Sequence, residues 1–274
     1  MNYSHAFHAG NFADIVKHAA LLALLGRLQA DPAPLALIDT HGGRGVYDLD
    51  APEARRSAEA ERGIARLIED PAPPEAVGRL KAAVLAASQA AGGRRYPGSP
   101  LLAAQRLRPQ DRLTVFEFNP REAEVLKASL AGAGAGAVSI ETADGYDGAV
   151  RNLAPDGRAL VLIDPPFERG DDYDRCLATL QAMTRRNLKA AIMIWLPLKD
   201  LETFDAFVRR AEEIRPVRVA EVRLRPLLDP MRMNGCALVL AAAPEGLDLD
   251  LAAICEWTAS HLGEGGGSRL WGSA

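Results

Sequence analysis

The amino-acid sequence predicts an α/β fold: a doubly wound, seven-stranded and mostly parallel sheet with an antiparallel last strand and a small helical insertion. Seven runs of strand length are apolar almost throughout, which is typical of strands covered on both faces. Helix-like segments separate the first five runs, as in parallel sheets. The last two runs are joined by a turn through Asp229, Pro230 and Gly235, which favours an antiparallel hairpin at one edge.

The elements follow one another with regular spacing except at one place. The predicted strands are 35–41, 113–119, 138–144, 159–165, 190–197, 217–224 and 236–242, and helices are predicted within 120–131, 174–187 and 201–213. The interval from Asp39 to Glu117 is 78 positions, against about 20 in a simple βαβ unit. Residues 50–90 are rich in Ala, Glu and Arg, so this interval predicts inserted helices.

These patterns divide the chain into three parts. Residues 1–46 and 99–262 are expected to form one cofactor-binding domain, 47–98 an inserted helical subdomain, and 263–274 a flexible tail. The arginines of the insertion, including Arg62, Arg66 and Arg79, either grip phosphate or belong to a solvated helical surface.

Composition excludes several classes of protein. The 274 residues carry a net charge of −4, which excludes a wholly basic nucleic-acid binder but not a protein with one basic face. Three cysteines without a CxxC pair argue against disulfides and structural zinc. No apolar run reaches the roughly 18 residues of a membrane span. We therefore expect a cytoplasmic monomer with no membrane contact; His5 and His8 lack the further ligands that a metal needs.

A glycine-rich turn and two acids follow the first three predicted strands. Residues 39–45 read Asp-Thr-His-Gly-Gly-Arg-Gly, and Glu117 and Asp144 lie at the ends of the next two strands. Such a turn lets the backbone approach a ligand, and an acid at the second strand end can accept hydrogen bonds from ribose hydroxyls. The turn is neither a dinucleotide fingerprint nor a P-loop. It therefore favours an adenosine-containing ligand without pyrophosphate, unless each acid merely caps the following helix.

The fourth strand ends in Asp164-Pro165-Pro166-Phe167. Two prolines cannot continue a buried ladder, so the chain must leave the sheet here. The Asp164 carboxylate and a carbonyl fixed by proline form a pair of acceptors, and Phe167 adds an aromatic face. Together they suit a planar group that carries an NH2, whose lone pair becomes available for attack when both N–H groups are hydrogen-bonded. Asp164 can also receive the released proton.

The N-terminal segment carries polar residues on an otherwise apolar helix. Asp14, Lys17 and His18 share one helical face. Either they form an intramolecular salt bridge, or Lys17 and His18 face the cofactor or the active site. Tyr3, His5 and Phe7 on the segment before the helix would make a lid over an extruded base.

The sequence resembles the RlmJ family of bacterial 23S rRNA adenine-N6 methyltransferases, which have a class I, Rossmann-like fold. The resemblance rests on residues 3–18, 39–45, 96–100 and 163–167 and extends from about residue 2 to about residue 245. It implies S-adenosylmethionine as cofactor, Asp164 as the catalytic residue, and Tyr3 as a contact to the target adenine. The cofactor contacts that it implies are His18, His41, Ser99, Glu117, Asp144, Gly145 and Asp164. The further substrate contacts that we expect are His5, Lys17, Pro165 and Phe167.

The chain departs from the family pattern at two places. Phe167 stands where the family has tyrosine, and residues 242–244 read Ala-Ala-Pro where Asn-Pro-Pro is expected. The expected substrate is 23S rRNA, protein-free or in an early assembly intermediate, held by Arg55, Arg56, Arg94, Arg95, Arg106 and Arg108. The alternatives are methylation of DNA adenine, methylation of a protein glutamine amide, and a cofactor-binding scaffold without catalysis.

Overall fold

A computed structural model describes residues 7–227 and 233–272 of the chain. The strands are β1 Leu35–Asp39, β2 Val46–Asp48, β3 Arg95–Pro97, β4 Arg112–Phe116, β5 Ala137–Glu141, β6 Arg158–Ile163, β7 Ala191–Leu198, β8 Arg218–Arg223, β9 Gly235–Ala241 and β10 Gly267–Gly272. The helices are α1 Phe12–Leu28, α2 Pro52–Ser57, α3 Glu59–Arg62, α4 Ile64–Glu69, α5 Glu75–Ala91, α6 Ser99–Ala104, α7 Pro120–Leu130, α8 Gly145–Asn152, α9 Asp172–Arg186, α10 Leu201–Ile214 and α11 Leu247–Leu262. No helix within the described ranges is long and apolar enough to span a membrane.

The main sheet confirms the predicted fold class. Its strand order is β10-β8-β9-β7-β6-β1-β4-β5. The pairs β6–β1, β1–β4, β4–β5 and β6–β7 are parallel, whereas β9 runs antiparallel to both β7 and β8. The seventh predicted strand is therefore the reversed one. The order changes direction at β1, which places a ligand crevice at the carboxyl ends of β1 and its neighbours.

The sheet has eight strands rather than seven, because residues expected to form a flexible tail pair with β8. The register joins Gly267 to Arg223 and Gly272 to Arg218, in antiparallel orientation. The glycine run before β10 suggests flexibility, but it serves close backbone packing: a Cβ on Gly266 would lie 1.8 Å from the Arg223 carbonyl oxygen. Arg269 of β10 also donates to the buried Glu221 carboxylate, at 2.8 Å. Residues 267–272, expected to belong to a flexible tail, thus form a paired strand.

Helices cover both faces of the sheet. On one face α1 packs against α5, α6 and α11, and on the other α8, α9 and α10 enclose a second apolar cluster. Asparagine and aspartate side chains accept backbone N–H bonds at the starts of α1, α7, α8 and α10, which fixes where these helices begin.

The insertion forms helices, as expected, but it is also part of the main core. β2 and β3 pair antiparallel at its base. The buried residues of α5 are Ala76, Val77, Leu80 and Val84, and this face packs on α1 and α11. The insertion is therefore fixed against the helix that carries Asp14, Lys17 and His18.

Candidate active site

Four acids lie at the carboxyl ends of four adjacent strands. Asp39 ends β1, and Glu117, Asp144 and Asp164 follow β4, β5 and β6. These strands are parallel neighbours, so their carboxyl ends meet at one edge of the sheet. The structure thus brings these four acids to one edge of the sheet.

The glycine turn closes on Glu117. The backbone N–H of Gly43 donates to Glu117 Oε2 at 2.8 Å, and that of Asn119 to Oε1 at 2.7 Å. Gly43 has a φ of +60°, and a Cβ on Gly42 would lie 2.4 Å from a methyl carbon of Val115, so the turn requires glycine at both positions. Burial raises the pKa of Glu117 above its usual value. Each carboxylate oxygen keeps a lone pair for ribose hydroxyls.

Ser99 and His41 are tied to the end of β1. Ser99 Oγ donates to Asp39 Oδ2 at 2.7 Å, and the backbone N–H of His41 donates to Oδ1 at 3.1 Å. Burial raises the pKa of Asp39 to about 6, against the effect of these two bonds. Burial likewise lowers the pKa of His41 to about 4, so its ring is neutral at pH 7.

Asp144 caps a helix and also faces the crevice. Its Oδ1 accepts the Tyr146 backbone N–H at 3.0 Å, which agrees with the capping interpretation, and its Oδ2 accepts from Arg175 at 2.6 Å. Burial opposes ionisation, but Arg175 outweighs it and lowers the pKa of Asp144. A Cβ on Gly145 would lie 1.8 Å from the Thr40 carbonyl oxygen, so this position requires glycine. The ring of Tyr146 meets that of His41 with centroids 4.9 Å apart.

Lys17 connects the N-terminal helix to the Asp-Pro-Pro-Phe turn. Its Nζ lies 2.5 Å from Asp164 Oδ2 and 3.0 Å from Asp14 Oδ1. Burial alone would lower the pKa of Lys17, but the two carboxylates outweigh it and raise the pKa above its usual value. The intramolecular salt bridge, one of the two interpretations, is thus present, and it places Lys17 against Asp164.

The turn after Asp164 presents an aromatic ring. Pro165 is buried, and Phe167 adopts a φ of 51°, in the left-handed region that non-glycine residues rarely occupy. The Phe167 ring packs against Tyr173 and Trp195, with centroids 4.7 and 5.8 Å apart. Backbone strain of this kind is concentrated at functional sites, and here these two rings hold the strained residue.

His18 is buried one helical position beyond Lys17. Its Nδ1 lies 2.7 Å from the Tyr96 hydroxyl oxygen. Burial raises the pKa of Tyr96 well above its usual value, so the hydroxyl keeps its proton. The two residues lie 78 positions apart, and the insertion thus helps to orient His18.

Two predicted substrate contacts, Tyr3 and His5, lie outside the described residues.

The arginines expected to bind RNA fall into different environments. Arg55, Arg56 and Arg106 are exposed, whereas Arg108 is committed to the Asp111 carboxylate and to the carbonyls of residues 29, 31 and 33. The expectation for Arg108 is therefore corrected, because its donors are used inside the protein. Arg94 and Arg95 lie between these cases, paired with Glu61 and Asp48.

Tyr96, Arg175 and Phe118 are site residues that sequence reasoning missed. Tyr96 and Arg175 act on His18 and Asp144 across long stretches of chain, and no local periodicity reveals such partners. Phe118 was detectable, because an aromatic residue directly follows the acid at the end of β4. Its side chain is 74% exposed, so its ring is available to stack on a planar ligand.

The donor set fits an adenosyl group. Glu117 could accept hydrogen bonds from ribose hydroxyls and Asp144 from an amino group, and the exposed Phe118 directly follows Glu117. His41 and Ser99 bind the Asp39 carboxylate at the end of β1, and His18 follows Lys17, which binds Asp164. With the Asp-Pro-Pro-Phe turn on the adjacent strand, this arrangement defines the class of protein: an α/β, Rossmann-like methyltransferase.

Comparison with known proteins gives the family. The profile of the family described as ribosomal RNA large subunit methyltransferase D, RlmJ, matches residues 32–272. Two proteins named ribosomal RNA large subunit methyltransferase J are similar over nearly their whole length. The one from Haemophilus influenzae is 31% identical, over 98% of this chain and 96% of its own. The one from Escherichia coli K12 is 29% identical, over 96% and 94%. The chain belongs to the RlmJ family of ribosomal RNA large subunit methyltransferases.

A solved structure supports the same fold over the full chain. A protein of Legionella pneumophila strain Philadelphia 1 superposes with a TM-score of 0.85 at 28% identity, covering 97% of this chain and 98% of its own. The shared fold therefore extends over nearly the whole of both chains.

Proposed function

We propose that this protein transfers a methyl group from S-adenosylmethionine to the N6 amino group of an adenine in 23S rRNA. The observation that carries the proposal is the Asp164 carboxylate, held by Lys17 at the end of β6, beside the glycine turn of β1. Membership of the RlmJ family supports the ribosomal RNA substrate. A cytoplasmic location belongs to the same proposal.

The cofactor contacts proposed are His18, His41, Ser99, Glu117, Asp144, Gly145 and Asp164. We assign Glu117 to the ribose and Asp144 to the adenine amino group. The neutral His41 is assigned to the part of the cofactor between the ends of the strands that carry these two acids. When bound, S-adenosylmethionine supplies an electrophilic methyl group on a cationic sulfur. We assign its binding to the domain formed by 1–46 and 99–262, and RNA contacts to the insertion 47–98 and the N-terminal segment with Tyr3 and His5.

Asp164 and Pro165 are assigned to the target amine. The residue before a proline is held extended, so Pro165 and Pro166 fix the backbone of the two residues that precede them. Asp164 Oδ1 and the Pro165 carbonyl oxygen are then two acceptors for the two N–H groups of an adenine whose ring stacks on Phe167. These bonds favour a tetrahedral nitrogen, and its lone pair becomes the nucleophile.

Lys17 holds the carboxylate during this step. Its ammonium occupies Asp164 Oδ2, which leaves Oδ1 for the amine. As the nitrogen–carbon bond forms, the bond between the methyl carbon and sulfur breaks and a neutral thioether leaves. The nitrogen becomes cationic, and one N–H proton passes to Asp164 or to water. The base must leave its stack for this geometry, since the amine is not reachable inside a helix. With a net charge of −4, we expect salt-sensitive binding to exposed, protein-free rRNA.

The test is methyl transfer from labelled S-adenosylmethionine to protein-free 23S rRNA that lacks the modification. DNA and mixed protein are assayed in parallel, and nucleosides are identified by mass. N6-methyladenosine in the 23S sample alone is the expected result. Label in DNA or in protein glutamine would replace the substrate assignment by one of the alternatives. Absence of transfer with intact cofactor binding would support the non-catalytic scaffold.

A further inference from the structure

The inserted segment contacts the start of α1 through one carboxylate. Glu59, the first residue of α3, lies 2.9 Å from His8 Nδ1 through Oε1 and accepts from Asn11 Nδ2 through Oε2 at 3.0 Å. The Glu59 side chain is 28% exposed. A single carboxylate of the insertion thus bridges two residues of the segment that leads into α1.

The backbones of the two segments are also in direct contact. The Ile64 N–H donates to the Gly10 carbonyl at 2.8 Å. A Cβ on Gly63 would lie 2.2 Å from that carbonyl oxygen, and Gly10 itself has a φ of +78°. Glycine at both positions permits this approach, so the contact around Glu59 is built by several residues rather than by one surface pair.

Asn11 and Gly10 pass this contact on to Asp14. Asn11 is the N-cap of α1, and its Oδ1 accepts the Asp14 N–H at 3.0 Å. The Gly10 N–H donates to Asp14 Oδ2 at 2.9 Å. Asp14 is therefore held on both its main chain and its side chain by the residues that Glu59 and Ile64 bind.

Asp14 in turn orients Lys17, and Lys17 orients Asp164. The distances are 3.0 Å from Lys17 Nζ to Asp14 Oδ1 and 2.5 Å to Asp164 Oδ2. An unbroken series of hydrogen bonds and ion pairs thus runs from the inserted segment to the carboxylate proposed to bind the amine.

We propose that Glu59 is a positioning residue, through which the inserted segment fixes the start of α1 and, by way of Asp14 and Lys17, the Asp164 carboxylate. The inference rests on the proposed function of Asp164. It gives the insertion a role in the reaction that is separate from any contact with RNA.

The charges around Glu59 favour an ionised pair. The hydrogen bond with Glu59 raises the pKa of His8, against the effect of partial burial. Burial opposes ionisation of Glu59, but the bonds from His8 and Asn11 outweigh it and lower its pKa. Among the described residues, Arg62 on α3 and Asp14 on α1 also act on this pair. The bridge is therefore charge-assisted, which makes it stronger than a neutral contact.

The test compares Glu59→Ala and Glu59→Gln with wild type. Glu75→Ala is the control, since it removes a carboxylate of the insertion whose partner, Arg79, lies on the same helix. For Glu59→Ala we expect kcat to fall about tenfold, because small misplacement of a reacting group is costly, with little change in KM for S-adenosylmethionine. Glu59→Gln keeps an acceptor for Asn11 and is expected to recover most of kcat. Glu75→Ala is expected to match wild type.

Two measurements keep the inference separate from the reaction itself. Amide hydrogen exchange is expected to quicken at Gly10, Asp14 and Ile64 in Glu59→Ala. The carboxyl carbon signal of Asp164 in NMR is expected to shift in Glu59→Ala but not in Glu75→Ala. Both measurements can be made even if the wild-type protein does not methylate rRNA. Such inactivity would count against the proposed function and not against the positioning role of Glu59.

Three outcomes would overturn the inference. One is an unchanged Asp164 signal in both Glu59 variants. Another is faster exchange with unchanged kcat, which would make Glu59 a purely structural anchor. The third is an equal loss of kcat in Glu75→Ala, which would point to a general effect of the insertion. If Glu59→Ala unfolds in a thermal melt, Glu59→Asp replaces it, because its shorter side chain cannot reach both His8 and Asn11. A lower kcat with a shifted Asp164 signal then supports the inference, and wild-type values of both overturn it.

Discussion

Acidic residues play opposite roles at the two ends of the parallel strands of the central sheet. We call these two ends of the sheet its amino edge and its carboxyl edge. At the amino edge, Asp111 accepts from the Leu35 N–H, from Gln29 and from three donors of Arg108. At the carboxyl edge, Asp164 receives the Lys17 ammonium on one oxygen, and Glu117 accepts one N–H on each oxygen. The Asp111 carboxylate is saturated from within the protein. The acids of the carboxyl edge keep lone pairs, and this difference separates structural acids from those available to a ligand.

The largest expected effect is that of Asp164→Asn at the carboxyl edge. The amide keeps the size of the side chain but loses the charge that pairs with Lys17 and the capacity to take up a proton. We expect the rate of methyl transfer to fall about 10³-fold, within the range of general acid–base contributions. Lys17 keeps its contact with Asp14, so the folded state is expected to survive. Single-turnover assays beside thermal melts measure both quantities.

An Asp164→Asn enzyme that retains wild-type rate would contradict the role of the free carboxylate oxygen. A large loss of stability with little change in the rate per folded molecule would place Asp164 in the same class as Asp111. Either result would remove the distinction drawn between the two edges.

The second prediction concerns Asp111→Asn at the amino edge. The amide brings N–H groups towards the Arg108 donors, so several hydrogen bonds are lost inside a buried contact. We expect a loss of about 3 kcal/mol in the free energy of unfolding, measured by urea denaturation. The rate per folded molecule is expected to stay unchanged, because Asp111 lies at the opposite edge from the site.

The pH dependence of this loss has a definite sign. Burial opposes ionisation of Asp111, but the bonds from Arg108 and Leu35 outweigh it, so the pKa of the folded state lies well below the usual value. The stabilisation is therefore present above the unfolded pKa of about 4 and is lost as pH falls through the folded pKa. The difference in free energy of unfolding between wild type and Asp111→Asn should therefore decrease as the pH falls. A difference that increases at low pH would show that the ionised Asp111 carboxylate is not the stabilising group.

The sequence was sufficient for the features that are local along the chain. The apolar runs predicted the sheet, and the structure brings the strand-end acids and the turn after Asp164 together at its carboxyl edge. Strand β10 was missed because its glycines suggest a loop, and its register partners in β8 are distant along the chain. The contacts of Tyr96 with His18 and of Arg175 with Asp144 have no local pattern either. What the sequence could not show is which polar groups are already used within the fold.

The smallest expected effect applies the same comparison to basic residues. The Arg55 side chain is 68% exposed and touches Asp50 at 3.3 Å, and Arg56 is exposed beside it, whereas the donors of Arg108 are committed. We expect Arg55→Ala with Arg56→Ala to weaken rRNA binding about tenfold at moderate salt and leave affinity for S-adenosylmethionine unchanged. The slope of log affinity against log salt should fall by about 1.5, since two phosphate contacts are lost.

The matched control removes Arg209 and Arg210, two exposed arginines on α10. Equal losses in both double variants would mean that RNA binding follows total charge, and open arginines of the insertion would then have no special part in it.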